Sequence, residues 1–314
     1  MAILIEDKSL ITFAEQSDIF IHHLRTRKRN PLKESSLAVY KSYSANWIAP
    51  LIGDKPLAEF TPVAMRDFVA KLSVSLGPKS VNEVVSLTKS IVGSVRDEQG
   101  VQVFRTSFDS EFIDLPVVKH ADQKTPIFSA NQIENMISDS NATYRCLYAL
   151  AASSGLRISE LLSIRTKDDG VSTVFDPSGR IHVRQTLWRG KPQAPKTSAA
   201  TRTVEILRPV AEMLRAFIGN RIGYVFGNGN GRPIDVSSAR DQLEKQVGSG
   251  CFHAFRRFRT TTLRKAHCNE AVLRFWLGHA GIKSISDIYD RTAFDESFRR
   301  EECDRIGLGF ELPR

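Results

Sequence analysis

The sequence predicts a mainly α-helical chain with one small β-sheet, an α+β fold in two domains. Helical periodicity with recognisable caps recurs from residue 37 to the C-terminal region, while apolar/polar alternation is confined to Ile181–Ile206. The chain has 314 residues and a mass of 35.2 kDa, more than one hydrophobic core comfortably serves. Its 41% hydrophobic and 25% charged residues, with mean hydropathy −0.23, suit a soluble globular protein. No apolar run reaches the length of about 18 residues that a membrane span needs. Glu6 and Asp7 interrupt the stretch where a signal peptide would be apolar, so a cytoplasmic protein is expected.

The first domain is expected over residues 1–116. Leu37, Tyr40, Tyr43 and Trp47 recur at helical spacing, and Asn46 to Pro50 is read as the stop. A second helix follows Thr61 as N-cap with Pro62 at its first position. A third is read from a capping box at Ser80 and Glu83, with Val81, Val84, Val85, Thr88, Ile91, Val92 and Val95 as its buried stripe. Residues 117–126 lack periodicity and are read as a linker.

The second domain is expected over 127–314. Ser129 and Gln132 form a capping box, and an apolar run from Tyr144 ends at Gly155. A short helix carries Ile158, Leu161 and Leu162. Ile181–Leu187 and Thr201–Ile206 then alternate as two strands of a hairpin whose long basic tip is Trp188–Ala200. Helices return at Pro209–Ile218, His253–Ala266 and Glu270–Trp276.

Charge is unevenly spread. The net charge is +9, and residues 181–270 alone carry 16 basic against 6 acidic side chains. This suits a polyanionic partner, although a solvated basic face has the same composition. A smaller cluster, Arg25, Arg27, Lys28, Arg29 and Lys33, is placed to touch phosphates. Cys146, Cys251, Cys268 and Cys303 contain no CxxC pair, so reduced thiols are expected. The set Cys251, His253, His267 and Cys268 does not follow a familiar zinc spacing, and neither metal nor cofactor is expected.

Three segments carry chemistry. In Ser153–Leu162, Arg157 opens a helix just after Gly155, and its guanidinium can grip an oxyanion through two parallel hydrogen bonds. Glu160 lies on the same face to orient it, although an Arg and Glu at this spacing also describe a surface ion pair. His253 and Arg256 put an imidazole and a guanidinium on one helical turn, an arrangement that holds a phosphate and moves a proton, or one that merely contacts DNA backbone. His279 sits in Leu-Gly-His at a helix break, and Tyr289 follows ten positions later, as an amphipathic core tyrosine or as a nucleophile.

Together these segments resemble the tyrosine recombinase (phage integrase) family of site-specific DNA recombinases. Ser154-Gly-Leu-Arg157-Ile-Ser-Glu160-Leu is similar to the family's first box and His253-Ala-Phe-Arg256 to its second; His279 matches its Leu-Gly-His and Tyr289 its nucleophile. Lys196, in PKTSAATRTVEI, matches the catalytic lysine of a β-hairpin, with Lys191 in WRGK as second choice. One departure is that Tyr289 lies ten residues after His279 where nine is commoner, a difference that one extra loop residue absorbs.

The resemblance implies a helical core-binding (SAM-like) domain and a catalytic domain forming a C-shaped clamp around double-stranded DNA. With few residues before Leu37, a simple two-domain arrangement without a further arm-binding domain is expected. It also implies cleavage and rejoining through a 3′-phosphotyrosyl intermediate. Arg157 and Arg256 would neutralise the non-bridging oxygens, Tyr289 attack phosphorus, Lys196 protonate the leaving 5′ oxygen, His253 assist proton transfer, His279 donate a hydrogen bond and Glu160 support Arg157. No metal is needed where arginines supply the charge. The partners implied are paired recombination sites held by a homotetramer, from a protein monomeric without DNA. Integration or excision of a mobile element is the favoured role. Resolution of replicon multimers, a type IB topoisomerase and a catalytically silent DNA-binding relative are the alternatives; a metal-dependent nuclease lacks a suitable carboxylate cluster. Phe294, Phe298 and Ile306 mark a C-terminal helix that packs either in cis or on a neighbouring subunit.

Overall fold

The computed structural model describes residues 11–104, 106–119, 126–195, 197–228, 230–279 and 290–313. Two compact units divide the chain, Met1–Gln123 and Lys124–Arg314.

The first unit is helical: α1 (Phe13–Thr26), α2 (Glu34–Tyr43), α3 (Ala49–Ile52), α4 (Pro62–Ser73) and α5 (Pro78–Val92). α5 is its spine, with the whole predicted stripe from Val81 to Val95 buried. Phe13 of α1 meets Phe60 edge to face at 4.6 Å, and Phe108 and Ile113 close the same core from beyond α5. As predicted, Thr61 caps α4, its hydroxyl accepting from the Ala64 N–H.

Three local expectations are corrected. A helix precedes Leu37: Thr12 and Glu15 form the capping box that starts α1, a signal the sequence reading passes over. Pro50 does not stop the helical path. Residues Ser44–Ile48 form a π-turn in which the Ala49 N–H reaches back to the Ser44 carbonyl, and this wider turn accommodates a proline at the start of α3. α5 begins at Pro78, not at a Ser80 cap, because proline's fixed φ already suits the first helical position.

The second unit contains α6 (Ala130–Ser138), α7 (Ala142–Ser154), α8 (Ile158–Leu161), β1 (Val174–Asp176), β2 (Arg180–Val183), β3 (Thr186–Trp188), β4 (Lys191–Gln193), β5 (Arg202–Glu205), α9 (Arg208–Ile218), α10 (Val236–Val247), α11 (His253–Lys265), α12 (Glu270–Leu277) and α13 (Glu296–Ile306). α7 is buried from Cys146 to Ser154 and packs on α6, α9 and α11. Its many alanines allow close approach on every side. α10, not predicted, buries only Ala239 and Leu243, too narrow a stripe to read from periodicity.

The two predicted strands do pair: β2 and β5 are antiparallel with Ile181 opposite Val204, and β1 adds on the other edge of β2. The predicted strand Ile181–Leu187 is broken in two, however. The Thr173 hydroxyl accepts from the N–H groups of both Arg184 and Gln185 and donates to the Gln185 carbonyl, which takes these groups out of the ladder. Past that plug, β3 and β4 form a separate hairpin closed by Arg189 (φ +49) and Gly190 (φ +72), both left-handed as a two-residue primed turn requires.

α13 packs in cis on its own unit. Arg299 is buried, donating to Glu205 Oε1 at 2.9 Å and to the Ala293 carbonyl at 2.8 Å, while Phe298 and Ile306 pack on the unit's core. The following turn is held by buried Arg259, which donates to the Gly307 carbonyl, and Phe310 lies against Phe258. Phe294, in contrast, is 61% exposed. Among the described residues no helix is long and apolar enough to cross a membrane.

A candidate active site

α7 ends because Gly155 adopts the left-handed conformation (φ +66, ψ +16), which turns the chain sharply into α8. Arg157 is then the N-cap of α8 and Glu160 its third residue. The Glu160 carboxylate accepts the Arg157 backbone N–H and an Arg157 guanidinium N–H, both at 2.9 Å. Glu160 is fully buried, whereas the Arg157 side chain stays 41% exposed. A surface ion pair is thereby excluded: one end of the pair is anchored in the interior and the other faces out.

Arg256 lies one turn along α11 from His253 and is 3% exposed. It donates to the Gly155 carbonyl at 3.0 Å, to the Leu277 carbonyl, and to His279 Nε2 at 3.0 Å. Since a guanidinium only donates, His279 Nε2 is the acceptor and Nδ1 carries the proton. The three segments singled out in the sequence thus meet at one guanidinium: the turn after α7, the start of α11 and the turn after α12.

The electrostatics report the same convergence. Burial, then the charges of Arg157 and Arg202, pulls Arg256 down to about 10, still protonated at neutral pH. His279 is lowered by burial and by Arg256, Arg157 and Arg202; His253 is lowered by burial and by Arg256, Arg257 and Arg157. Both imidazoles are therefore biased toward the neutral form. The guanidiniums of Arg157, Arg202 and Arg256 outnumber the buried carboxylate of Glu160 and leave a local excess of positive charge suited to an anion.

Arg202, in the same PKTSAATRTVEI segment as Lys196, is not singled out in the sequence. It is buried on β5 and grips Glu160 bidentately, Nη1 to Oε1 at 3.1 Å and Nη2 to Oε2 at 3.0 Å. Its Nε donates to the Trp276 carbonyl at 2.7 Å. Gly278, at φ +59, lies against it: a Cβ there would stand 3.0 Å from Arg202 Nη1. Gly278→Ala is therefore expected to cost about 2 kcal/mol from left-handed strain and crowding against a guanidinium that is not free to move. An unchanged urea midpoint would count against this account.

Glu160 also predicts an acid limit. Burial raises its carboxyl pKa, but the charge and hydrogen bonds of Arg202, with those of Arg157, outweigh burial and hold it below the ordinary value of 4.5. Its contribution to stability is thus complete above that value and lost as the pH falls toward the lowered folded one. The lowered histidines act with the same sign from about 6.5 downward, where the unfolded chain takes up protons first. Stability followed by denaturation is expected to decline on acidification through both windows; a flat profile from pH 7 to 4 would contradict it.

Lys191 is exposed on β4 opposite Trp188, and Arg189 lies over the Trp188 ring at 4.9 Å. Lys196 and Tyr289 lie outside the described residues. Among the described residues no group of His, Cys, Asp or Glu is arranged to hold a metal ion.

With this geometry in place, comparison with known proteins gives a consistent result. The profile of the phage integrase family matches residues 126–296, and that of the phage integrase N-terminal SAM-like domain matches residues 12–73. The first match spans more than half of the chain, and the protein belongs to the phage integrase family, the tyrosine recombinases. No curated protein sequence gives a significant match. Among solved structures, the integrase of the Tn1549 transposon in complex with transposon right end DNA is similar with a TM-score of 0.68 at 19% identity, covering 91% of this chain and 97% of that one. A lambda integrase tetramer bound to a Holliday junction is similar with a TM-score of 0.63 at 16% identity, covering 89% and 81%. XerH recombinase, in a post-cleavage complex with its substrate, gives 0.56 at 14% identity, covering 95% and 96%. At these identities the likeness is one of fold.

Proposed function

We propose that the protein is a site-specific DNA recombinase that cleaves and rejoins duplex DNA through a 3′-phosphotyrosyl intermediate. The observation that carries this reading is the meeting of Arg157, Arg256 and His279, from three separate segments, in one pocket of positive charge. A phosphodiester is anionic and its alkoxide is a poor leaving group, so cleavage requires charge stabilisation, a nucleophile and a proton donor. Arg157, held at its buried end by Glu160, and Arg256 neutralise the non-bridging oxygens. Neutral His253, at the rim of the same helix turn, takes the proton from the Tyr289 hydroxyl as it attacks phosphorus. Lys196 returns a proton to the departing 5′ oxygen, and His279, whose Nε2 accepts from Arg256, donates its Nδ1 proton to the phosphate. The phosphotyrosyl bond conserves the energy of the broken linkage, so neither ATP nor a divalent ion enters the scheme.

Four protomers on two paired double-stranded sites exchange strands in turn, assembled from monomers in the DNA-associated cytoplasmic pool. The likeness to integrases of a transposon and of lambda supports integration or excision of a mobile element as the role. The test is incubation in EDTA with a nicked suicide duplex of a candidate attachment site. A covalent adduct mapped by mass spectrometry to Tyr289 is expected; cleavage that stops in EDTA would identify metal-dependent chemistry instead.

A further inference from the structure

Arg202 occupies an unusual position for so basic a side chain. It is buried, and each of its nitrogens already has a protein acceptor: Nε the Trp276 carbonyl, Nη1 both Glu160 and the Ala200 carbonyl, Nη2 Glu160. A guanidinium so enclosed has no geometry for reaching DNA. Its bonds instead run to two supports. One is the carboxylate beneath Arg157. The other is the end of α12, where Gly278 lies on the guanidinium immediately before His279. Three residues further along β5, Glu205 accepts the Trp276 indole N–H at 2.5 Å and binds Arg299 of α13. The strand therefore holds Trp276 by its backbone through Arg202 and by its ring through Glu205.

We infer that Arg202 is a positioning residue for strand cleavage, locking Glu160 under Arg157 and the Trp276–Gly278 turn under His279 in a single arrangement. This role rests on the recombinase reading above. A displacement of about 1 Å in such a support suffices for about a 100-fold loss in rate, whereas the buried position of Arg202 leaves duplex affinity untouched.

The test uses the full chain and a nicked suicide duplex, measuring duplex affinity and single-turnover adduct formation for wild type, R202K, R202M, E160Q and E160Q/R202M. R202M is expected to form adduct about 100-fold more slowly with affinity within about twofold of wild type. R202K, which keeps the charge but not the fork, is expected to fall between them. Because R202M strands a buried carboxylate, the double variant, which buries no charge there, keeps the test open if the single one does not fold. Its loss is expected to fall short of the product of the two single losses, the mark of residues acting through each other. On a methylphosphonate linkage, which lacks one of the anionic oxygens that Arg157 serves, the R202M deficit is expected to shrink. An equal deficit on both linkages, multiplicative losses, or an R202M that cleaves at the wild-type rate overturns the positioning role while the recombinase reading stands. Wild type that forms no adduct overturns the reading and the role together.

Discussion

Tyr289→Phe is expected to abolish covalent adduct formation while leaving the protein folded and able to bind its duplex. The substitution removes one oxygen and no apolar volume, so packing around the ring is conserved whatever its neighbours are. What disappears is the only atom assigned to attack phosphorus. Loss of a covalent nucleophile is felt at about four orders of magnitude or more, because the oriented bonds that remain still bind substrate without opening a chemical path. On a nicked suicide duplex, where the small cleaved fragment diffuses away and traps the intermediate, wild type accumulates a protein–DNA species that survives denaturation and Tyr289→Phe accumulates none. Gel shift under native conditions supplies the control, since binding depends on the basic surfaces and not on the phenol. A variant that still yields adduct would move the nucleophile to another residue, and the spacing of ten from His279 would then be the first feature to reconsider.

What the sequence made legible, and what it did not, follows from where the signal is local. The cap of α4 at Thr61 and that of α6 at Ser129 are settled within four residues, and both form as predicted. The stripe of α5 is legible because one face is wholly apolar. Pro50 misleads because a π-turn is a property of the path and not of proline's own propensities. The split of the long strand escapes for a different reason: the hydroxyl that ends β2 belongs to Thr173, about a dozen residues earlier in the chain. The candidate site divides along the same line. Arg157, Glu160, His253, Arg256 and His279 sit in short motifs whose residue types announce their chemistry. Arg202 announces nothing, because its partners Glu160 and Trp276 are 42 and 74 positions away. Supporting residues of this kind become visible only when β5 is seen to run between α8 and the end of α12.

Arg256→Lys should separate charge from geometry at the centre of the site. The native guanidinium spans two buried carbonyls, those of Gly155 and Leu277, and the ring of His279, tying the turns that carry Arg157 and His279 to α11. Lysine keeps the positive charge but offers one rotatable ammonium in place of a planar fork, so it cannot reach all three acceptors in fixed directions. If charge alone mattered, the exchange would be nearly silent. If preorganised donors stabilise the developing phosphorane, removing this one is expected to slow adduct formation about 100- to 1000-fold. The variant is also expected to lose stability, because at least one of the buried carbonyls is left without its donor, at about 1–3 kcal/mol for each such group. Rate and stability can be told apart by assaying well below the unfolding midpoint. Duplex affinity should change little, as most of it comes from exposed basic side chains and not from a guanidinium that is 3% exposed. Cleavage by Arg256→Lys within a few fold of wild type would show that the three converging segments supply only a field, and the case for a built transition-state site would rest on Arg157 alone.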